Sequence, residues 1–325
     1  MSDEQAPASS AASLVPLFAA VSADSLNSLQ REVVARSHPG PAWVSGAPGT
    51  GKTTVALHRA RHLASRLPPV AGGHGGSPPG EAAGDRPVLL ATFSKQLAAD
   101  LRDRLLELAG PAVAGRVDVV NIDALAWRVA RAAEPGVARN WLGEAQALDM
   151  WRSLLAETTG AGATQAGWDP QFLLEEWTQV VLGYAITSRL EYLRVRRAGR
   201  PRRLNRSERA SLWELFAEYS RRLAAANLWT FRQLTAHAAR LEMARAARAG
   251  ARYAHAVVDE AQALSPTQWM LLRALAAPGP DDLFLVADLS QRAYGIPVSL
   301  ASLGIDIEGR STRLTVSYRP EPQRM

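Results

Sequence analysis

The chain has 325 residues, of which 47% are hydrophobic and 21% are charged, as expected for a globular protein of about two domains. Its 37 Lys and Arg exceed its 31 Asp and Glu, and the resulting charge of +6 weakly favours a polyanionic partner. The absence of cysteine excludes disulfides and thiolate sites, and no apolar run is long enough to span a membrane, so we expect a cytoplasmic protein.

The first elements are a tail, a helix and a strand. Residues 1–22 are rich in small residues and predict a flexible tail. Residues 27–35 predict a short helix, which the sequence Pro39-Gly40-Pro41 stops. Residues 43–45 then suit a short buried strand.

A glycine-rich loop follows that strand and precedes a predicted helix at 54–67. It reads Gly46, Ala47, Pro48, Gly49, Thr50, Gly51, Lys52 and Thr53, which is the spacing of a phosphate-binding loop. Glycines let backbone N–H groups turn inward, and the helix N-terminus adds partial positive charge. Lys52 would reach the β- and γ-phosphates and Thr53 would bind Mg²⁺. The chain contains only two lysines, Lys52 and Lys95, which fits a loop position that needs a compact ammonium.

Two further strand–helix units come next. Residues 68–87 are rich in Gly, Pro and Ala and predict a surface excursion. Strands are predicted at 88–92 and 117–120, each followed by an amphipathic helix, which indicates a parallel α/β sheet. Ligands bind at the carboxyl ends of such strands, where Phe93, Lys95 and Asn121 lie.

The stretch 135–250 has no run of residues typical of a strand and predicts a helical unit. It holds six of the nine tryptophans, which we interpret mainly as core. It also carries nine arginines between Arg189 and Arg209 against two glutamates. This run is either a solvated basic loop or a set of phosphate contacts that includes Arg194, Arg196 and Arg197, and we favour the second interpretation.

The α/β pattern returns with apolar strands at 254–258 and 283–287, and a last one at 314–316. The first ends in Asp259 and Glu260. After a phosphate loop, this pair predicts a carboxylate that holds Mg²⁺ and a second that polarises the attacking water. Adjacent carboxylates that only stabilise a helix N-terminus are the alternative. The sequence predicts a sheet domain at 23–134 plus 251–325, split by a helical insertion at 135–250.

With these motifs the sequence resembles superfamily 1 DNA helicases of the UvrD/Rep/PcrA type. The segments 26–32, 46–53, 92–95, 257–262, 287–295 and 316–319 are similar, in that order, to the family's Q motif and motifs I, Ia, II, III and IV. The resemblance implies an α/β P-loop NTPase domain (RecA-like, 1A) with an all-helical insertion subdomain (1B). It implies ATP and Mg²⁺ as ligands and single-stranded or partly duplex DNA as partner.

The resemblance also implies roles for single residues. Gln30 would contact the adenine edge and Tyr318 would stack on the adenine. Gln291 and Arg319 would contact the γ-phosphate region. Phe93, Lys95, Asn121 and Tyr294 would lie on the DNA path. Thr54 stands where near relatives often carry an Arg that stacks on the base.

The family's second RecA-like domain, with motifs V and VI, is expected to come from a longer chain or from a partner protein. The alternative is a regulatory module that binds ATP and DNA or protein without translocating. A third interpretation, a P-loop enzyme acting on a small molecule, is disfavoured by Gln30, Gln291 and the arginine run.

Overall fold

The computed structural model describes residues 26–68, 87–138, 140–160, 167–197, 200, 202–288 and 300–316. The predicted tail at 1–22 and most of the predicted excursion at 68–87 lie outside the described residues. No helix in the described part of the chain is both long and apolar enough to cross a bilayer.

Six strands form one parallel sheet, and two very short strands pair separately. The strands are β1 (Ala42–Gly46), β2 (Val88–Thr92), β3 (Val117–Asn121), β4 (Asn140–Trp141), β5 (Leu228–Trp229), β6 (His255–Val258), β7 (Leu283–Ala287) and β8 (Ser311–Leu314). In the large sheet the order is β3-β2-β6-β7-β1-β8, and every neighbouring pair is parallel. The predicted α/β class is therefore confirmed.

Helices cover both faces of the sheet. The helices of the described residues are α1 (Ser28–Ala35), α2 (Lys52–Arg66), α3 (Lys95–Ala114), α4 (Ile122–Ala133), α5 (Glu144–Gly160), α6 (Pro170–Glu176), α7 (Arg189–Arg194), α8 (Arg206–Ala225), α9 (Phe231–Ala249) and α10 (Pro266–Leu275). Those that pack on the sheet are α1 to α4, α9 and α10. Successive strand residues point to opposite faces. In β2, Leu90 packs with α1, α2 and α3, whereas Leu89 packs with α4, α9 and α10. Strands buried on both faces must be apolar throughout, which is why these runs were recognisable.

The last strand lies earlier than the apolar run at 314–316 predicts. It spans Ser311–Leu314 and pairs with β1 from Trp43 to Gly46. It is at the edge of the sheet, and of its four residues only Leu314 is buried. An edge strand needs no continuous apolar run, so its polar first residues gave no signal.

A third core belongs to the helices between β4 and α9. Trp151 is fully buried and stacks on Tyr219 with ring centroids 3.9 Å apart. Trp168 and Trp177 are also buried there, as the core interpretation expects. The paired strands β4 and β5, two residues each, were not predicted. The division of the chain at 135 and 250 stays a prediction. Helix α9 contributes Leu234 and other side chains to the sheet core and Ala236 to this third core.

Part of the arginine run is buried around one carboxylate. Glu176 is fully buried and accepts hydrogen bonds from Tyr192, Arg197 and Arg200. Only 4% of the Arg197 side chain is exposed. The interpretation of Arg197 as a nucleic-acid contact needs correction, because its guanidinium is committed to an internal ion pair. Arg209 is likewise committed, to the carbonyls at the end of α7.

We predict that Glu176→Ala lowers the free energy of unfolding by about 3–5 kcal/mol, because it leaves two buried guanidiniums without their shared carboxylate. Urea denaturation followed by circular dichroism measures this loss. Glu175→Ala is the matched control, since its half-exposed carboxylate pairs with Arg200 and accepts one long hydrogen bond from Gln171, and we expect a loss of at most about 1 kcal/mol. Equal losses in the two variants would contradict the account.

Candidate functional site

The strand order brings the candidate site together at one edge of the sheet. Because all six strands are parallel, their carboxyl ends lie on the same side. The glycine loop follows β1, Asp288 follows β7 and Asp259 follows β6. Since β7 lies between β1 and β6, the strand that ends before Asp288 is the neighbour of both the strand before the loop and the strand before Asp259.

Glycine is needed at positions 46 and 51 of the loop for different reasons. A Cβ on Gly46 would lie 2.4 Å from the Thr50 hydroxyl and 3.2 Å from the Leu314 side chain. Gly51 has a φ of 79°, a left-handed conformation that favours glycine. A Cβ there would also lie 2.6 Å from the amide nitrogen of Gln30. The chain therefore turns tightly between β1 and α2.

Lys52 is buried and folded back over the loop. Its Nζ donates hydrogen bonds to the carbonyls of Gly46, at 2.9 Å, and Ala47, at 3.0 Å. It also lies 3.5 Å from a carboxylate oxygen of Asp288. A buried ammonium placed by three oxygens at the mouth of a glycine loop is suited to an anionic ligand.

Thr53 and Asp259 meet although they are 206 residues apart in the chain. The Thr53 hydroxyl donates to a carboxylate oxygen of Asp259 at 2.8 Å, and the backbone N–H of Glu260 donates to the other at 3.1 Å. Asp259 is only 1% exposed. Burial raises the pKa of Asp259 to about 6, although the hydrogen bond from Thr53 opposes the shift. At neutral pH a charged carboxylate is thus held out of water, where a bound cation would stabilise it.

Glu260 adopts a backbone conformation that is rare for its residue type. Its φ is 57° and its ψ is 40°, in the left-handed region, at a cost of the order of 1 kcal/mol. Its carboxylate accepts a hydrogen bond from the side-chain amide of Gln262, whose oxygen accepts from the backbone N–H of Asp288 at 2.9 Å. Gln262 therefore joins the ends of β6 and β7 and fixes the Glu260 side chain.

Gln262 and Asp288 were not among the predicted site residues. Both lie in the matched segments, Asp288 directly after β7 and Gln262 four residues after β6, but their function depends on which strands are neighbours. The sequence pattern alone did not contain that information.

The remaining predicted nucleotide contacts surround the loop. Gln30 is buried, and its amide donates to the carbonyl of Thr50 at 3.0 Å while its oxygen accepts from the backbone of Asn27 at 2.9 Å. In this structure Gln30 therefore supports the loop. Thr54 is half-buried in the first turn of α2, and Pro48 is exposed.

The residues at this edge fit Mg²⁺ held together with a phosphate ligand. A hydroxyl and a carboxylate oxygen, from Thr53 and Asp259, are the hard oxygen donors that Mg²⁺ prefers. Across the described ranges, no group of three or more His, Cys, Asp or Glu forms a metal cage. Mg²⁺ commonly keeps waters and takes further ligands from substrate phosphates, so one carboxylate and one hydroxyl are sufficient.

The predicted nucleic-acid contacts divide into exposed and buried residues. Phe93 is 41% exposed, and Lys95 is exposed beside it at the start of α3. Arg194 and Arg196 are exposed as well. Asn121, in contrast, is 5% exposed and its side chain caps α4 by accepting from the N–H of Ala124, so it is not presented at the surface.

One exposed aromatic pair was missed. Trp141 is 38% exposed and stacks on Phe231, which is 63% exposed, with centroids 4.3 Å apart and planes inclined by 15°. A cavity of about 530 Å³ beside Phe231 is bordered by the helical insertion and by the start of α10. The tryptophans were interpreted as core, and composition cannot separate a surface ring from a buried one.

Four predicted site residues lie outside the described residues: Gln291, Tyr294, Tyr318 and Arg319. Their roles stay predictions.

Comparison with family models gives one match. The model of the UvrD/REP helicase N-terminal domain matches residues 26–297, which is most of the chain. A search of curated proteins found no match. The match includes the glycine loop, Asp259, Glu260 and the helical insertion, in agreement with the resemblance seen in the motifs.

Proposed function

Because the chain belongs to the UvrD/REP helicase N-terminal domain family, we propose that it binds ATP with Mg²⁺ and hydrolyses it, and that DNA binding is coupled to hydrolysis. The observation that carries the proposal is the hydrogen bond between Thr53 and Asp259. It joins the phosphate loop to the acidic pair at the end of β6.

Nucleotide binding would use groups that are already in place. The positive end of α2 and the ammonium of Lys52 favour the phosphates, and Thr53 and Asp259 supply the protein ligands of Mg²⁺. Mg²⁺ held there would neutralise charge that develops on the phosphates. Lys52 now contacts two loop carbonyls, and it would exchange part of these contacts for phosphate oxygens.

Hydrolysis would use Glu260 as the general base for the attacking water. Its carboxylate accepts a hydrogen bond from the side-chain amide of Gln262. Asp259 is committed to Thr53 and the metal site, so the two adjacent carboxylates have separate tasks. The different partners of the two carboxylates, Gln262 for Glu260 and Thr53 for Asp259, support this division.

DNA binding would use the same edge of the sheet and the neighbouring insertion. Phe93 and the pair Trp141–Phe231 offer exposed rings on which bases can stack, and Lys95, Arg194 and Arg196 offer charge for phosphates. A second RecA-like domain from a longer chain or a partner would complete a translocating motor. Stimulation of ATP hydrolysis by single-stranded DNA supports coupling, whereas binding of both ligands without stimulation supports a non-translocating module.

We predict that Lys52→Ala weakens ATP binding by at least about 100-fold, because charge-assisted hydrogen bonds to the phosphates are lost. Titration with a fluorescent ATP analogue measures the affinity, and circular dichroism checks the fold. Lys95→Ala is the matched control, since it removes the chain's other lysine, and it should bind ATP as the parent does. Unchanged ATP affinity in Lys52→Ala would remove the loop from the nucleotide site.

We predict that Glu260→Gln binds ATP with near-parental affinity but hydrolyses it at least about 100-fold more slowly, because an amide cannot accept the proton of water. Phosphate release measures the rate under single-turnover conditions. Glu308→Gln, an exposed residue distant from β6 in the chain, is the control and should retain the parental rate. Turnover by Glu260→Gln at the parental rate would exclude Glu260 as the base.

We predict that Phe93→Ala weakens binding of single-stranded DNA by about 1–3 kcal/mol, because a stacking surface is lost. Lys95→Ala should instead reduce the slope of log affinity against log salt by about 0.7, the value for one released counterion. Fluorescence anisotropy with a labelled oligonucleotide at several salt concentrations measures both effects. Arg248→Ala, exposed at the end of α9, is the control. If both variants match this control, the start of α3 does not contact DNA.

A further inference from the structure

A second cavity lies between α1 and the C-terminal half of α2. Its volume is about 310 Å³, and its polar lining consists of Arg31, His58, Arg61, His62, Ser65 and Arg66. His58 is six residues beyond Lys52 along α2, which is about 9 Å of helix, and Arg66 is about 21 Å beyond it. The cavity is thus separate from the phosphate loop at the start of the same helix.

The lining carries three guanidiniums and two imidazoles but no carboxylate. Within the described ranges, Arg31, Arg61 and Arg66 have no ion pair with an acidic side chain. Arg66 instead contacts His62 and Ser37, at 3.4 and 3.5 Å. Unneutralised guanidiniums around a cavity attract an anion.

The neighbouring Arg59 is an example of an arginine with a structural role, because it is ion-paired inside the protein. Arg59 is buried, pairs with Asp281 at 2.6 Å and donates to the carbonyls of Val34 and Arg36. The charge of Arg59 is therefore neutralised by a carboxylate of the protein. The arginines of the cavity have no such carboxylate among the described residues, so they do not form a structural ion pair of this kind.

His58 supplies an independent observation. Its side chain is 4% exposed and lines the cavity, and its Nε2 atom has no hydrogen-bond partner among the described residues. A buried polar atom without a partner costs free energy that a ligand can recover. Burial and neighbouring guanidiniums lower the pKa of both His58 and His62.

We propose that this cavity binds a phosphate-type oxyanion, with Arg31, Arg61 and Arg66 around it and His58 donating from Nε2. Guanidinium forks match the oxygens of phosphate in a bidentate manner, which a point charge does not. The anion is either free phosphate in solution or the phosphate of a nucleic-acid strand. The inference does not depend on ATP hydrolysis and goes beyond the function proposed above.

The first test titrates the protein with inorganic phosphate against chloride at equal ionic strength and follows the imidazole signals by NMR. The signal of His58 is assigned by its absence in His58→Gln. We expect a saturable shift of this signal in the parent. In the double variant Arg61→Gln/Arg66→Gln the apparent affinity should fall at least about tenfold, because charge-assisted hydrogen bonds are lost.

Two controls make the result specific. Arg221→Gln/Arg248→Gln changes the net charge equally, at exposed positions of α8 and α9 outside the arginine run, and should respond to phosphate as the parent does. Lys52→Ala should also retain the response, since it affects only the loop site. Equal responses in the two double variants, or loss of the response in Lys52→Ala, would overturn the inference.

A final experiment identifies the source of the phosphate. The affinity for a labelled single-stranded oligonucleotide is compared between the two double variants. A larger loss in Arg61→Gln/Arg66→Gln assigns the site to a nucleic-acid strand. Equal DNA affinities, together with the phosphate effect above, assign it to a free anion.

Discussion

The buried carboxylate of Asp259 is the constraint on which the site depends. It is placed by a strand that the chain forms only after the helical insertion, and it is held by a hydroxyl from the first strand–helix unit. A charge this deeply buried is stabilised only by groups that approach it closely. The end of β1, the start of α2 and the end of β6 must therefore meet within hydrogen-bond distance. The parallel sheet with β7 between β6 and β1 satisfies this requirement and brings Asp288 beside Lys52.

Much of this arrangement could be predicted from local sequence. Strands such as β2 and β7 are buried on both faces and carry only apolar residues or Thr, so a short run identified them. The glycine loop and the Asp259–Glu260 pair were recognisable because their chemistry needs particular residues at fixed spacing. The start of α9 carries a capping box formed by Thr230 and Gln233, residue types that are typical of a helix N-terminus.

The features that escaped prediction depend on partners distant in the chain. Arg197 looked like a surface charge because its neighbours are arginines, but its partner Glu176 lies 21 residues earlier on a helix of its own. The functions of Gln262 and Asp288 follow from strand order, which no local pattern encodes. A residue type fixes what a side chain can do, whereas tertiary neighbours decide whether it faces solvent, a ligand or an ion pair.

The position of the helical insertion also has a consequence for folding kinetics. β2 pairs with both β3 and β6, but β3 follows it closely whereas roughly 130 residues separate β3 from β6. Closing a flexible chain of that length costs about 4 kcal/mol from the length term alone. The helices between β4 and α9 have a core of their own and can form through local contacts. Once they have formed, the flexible chain that must close between β3 and β6 is shorter. The sheet centre, where the acidic pair lies, is therefore expected to be completed late, after the helices between α4 and α9 have folded.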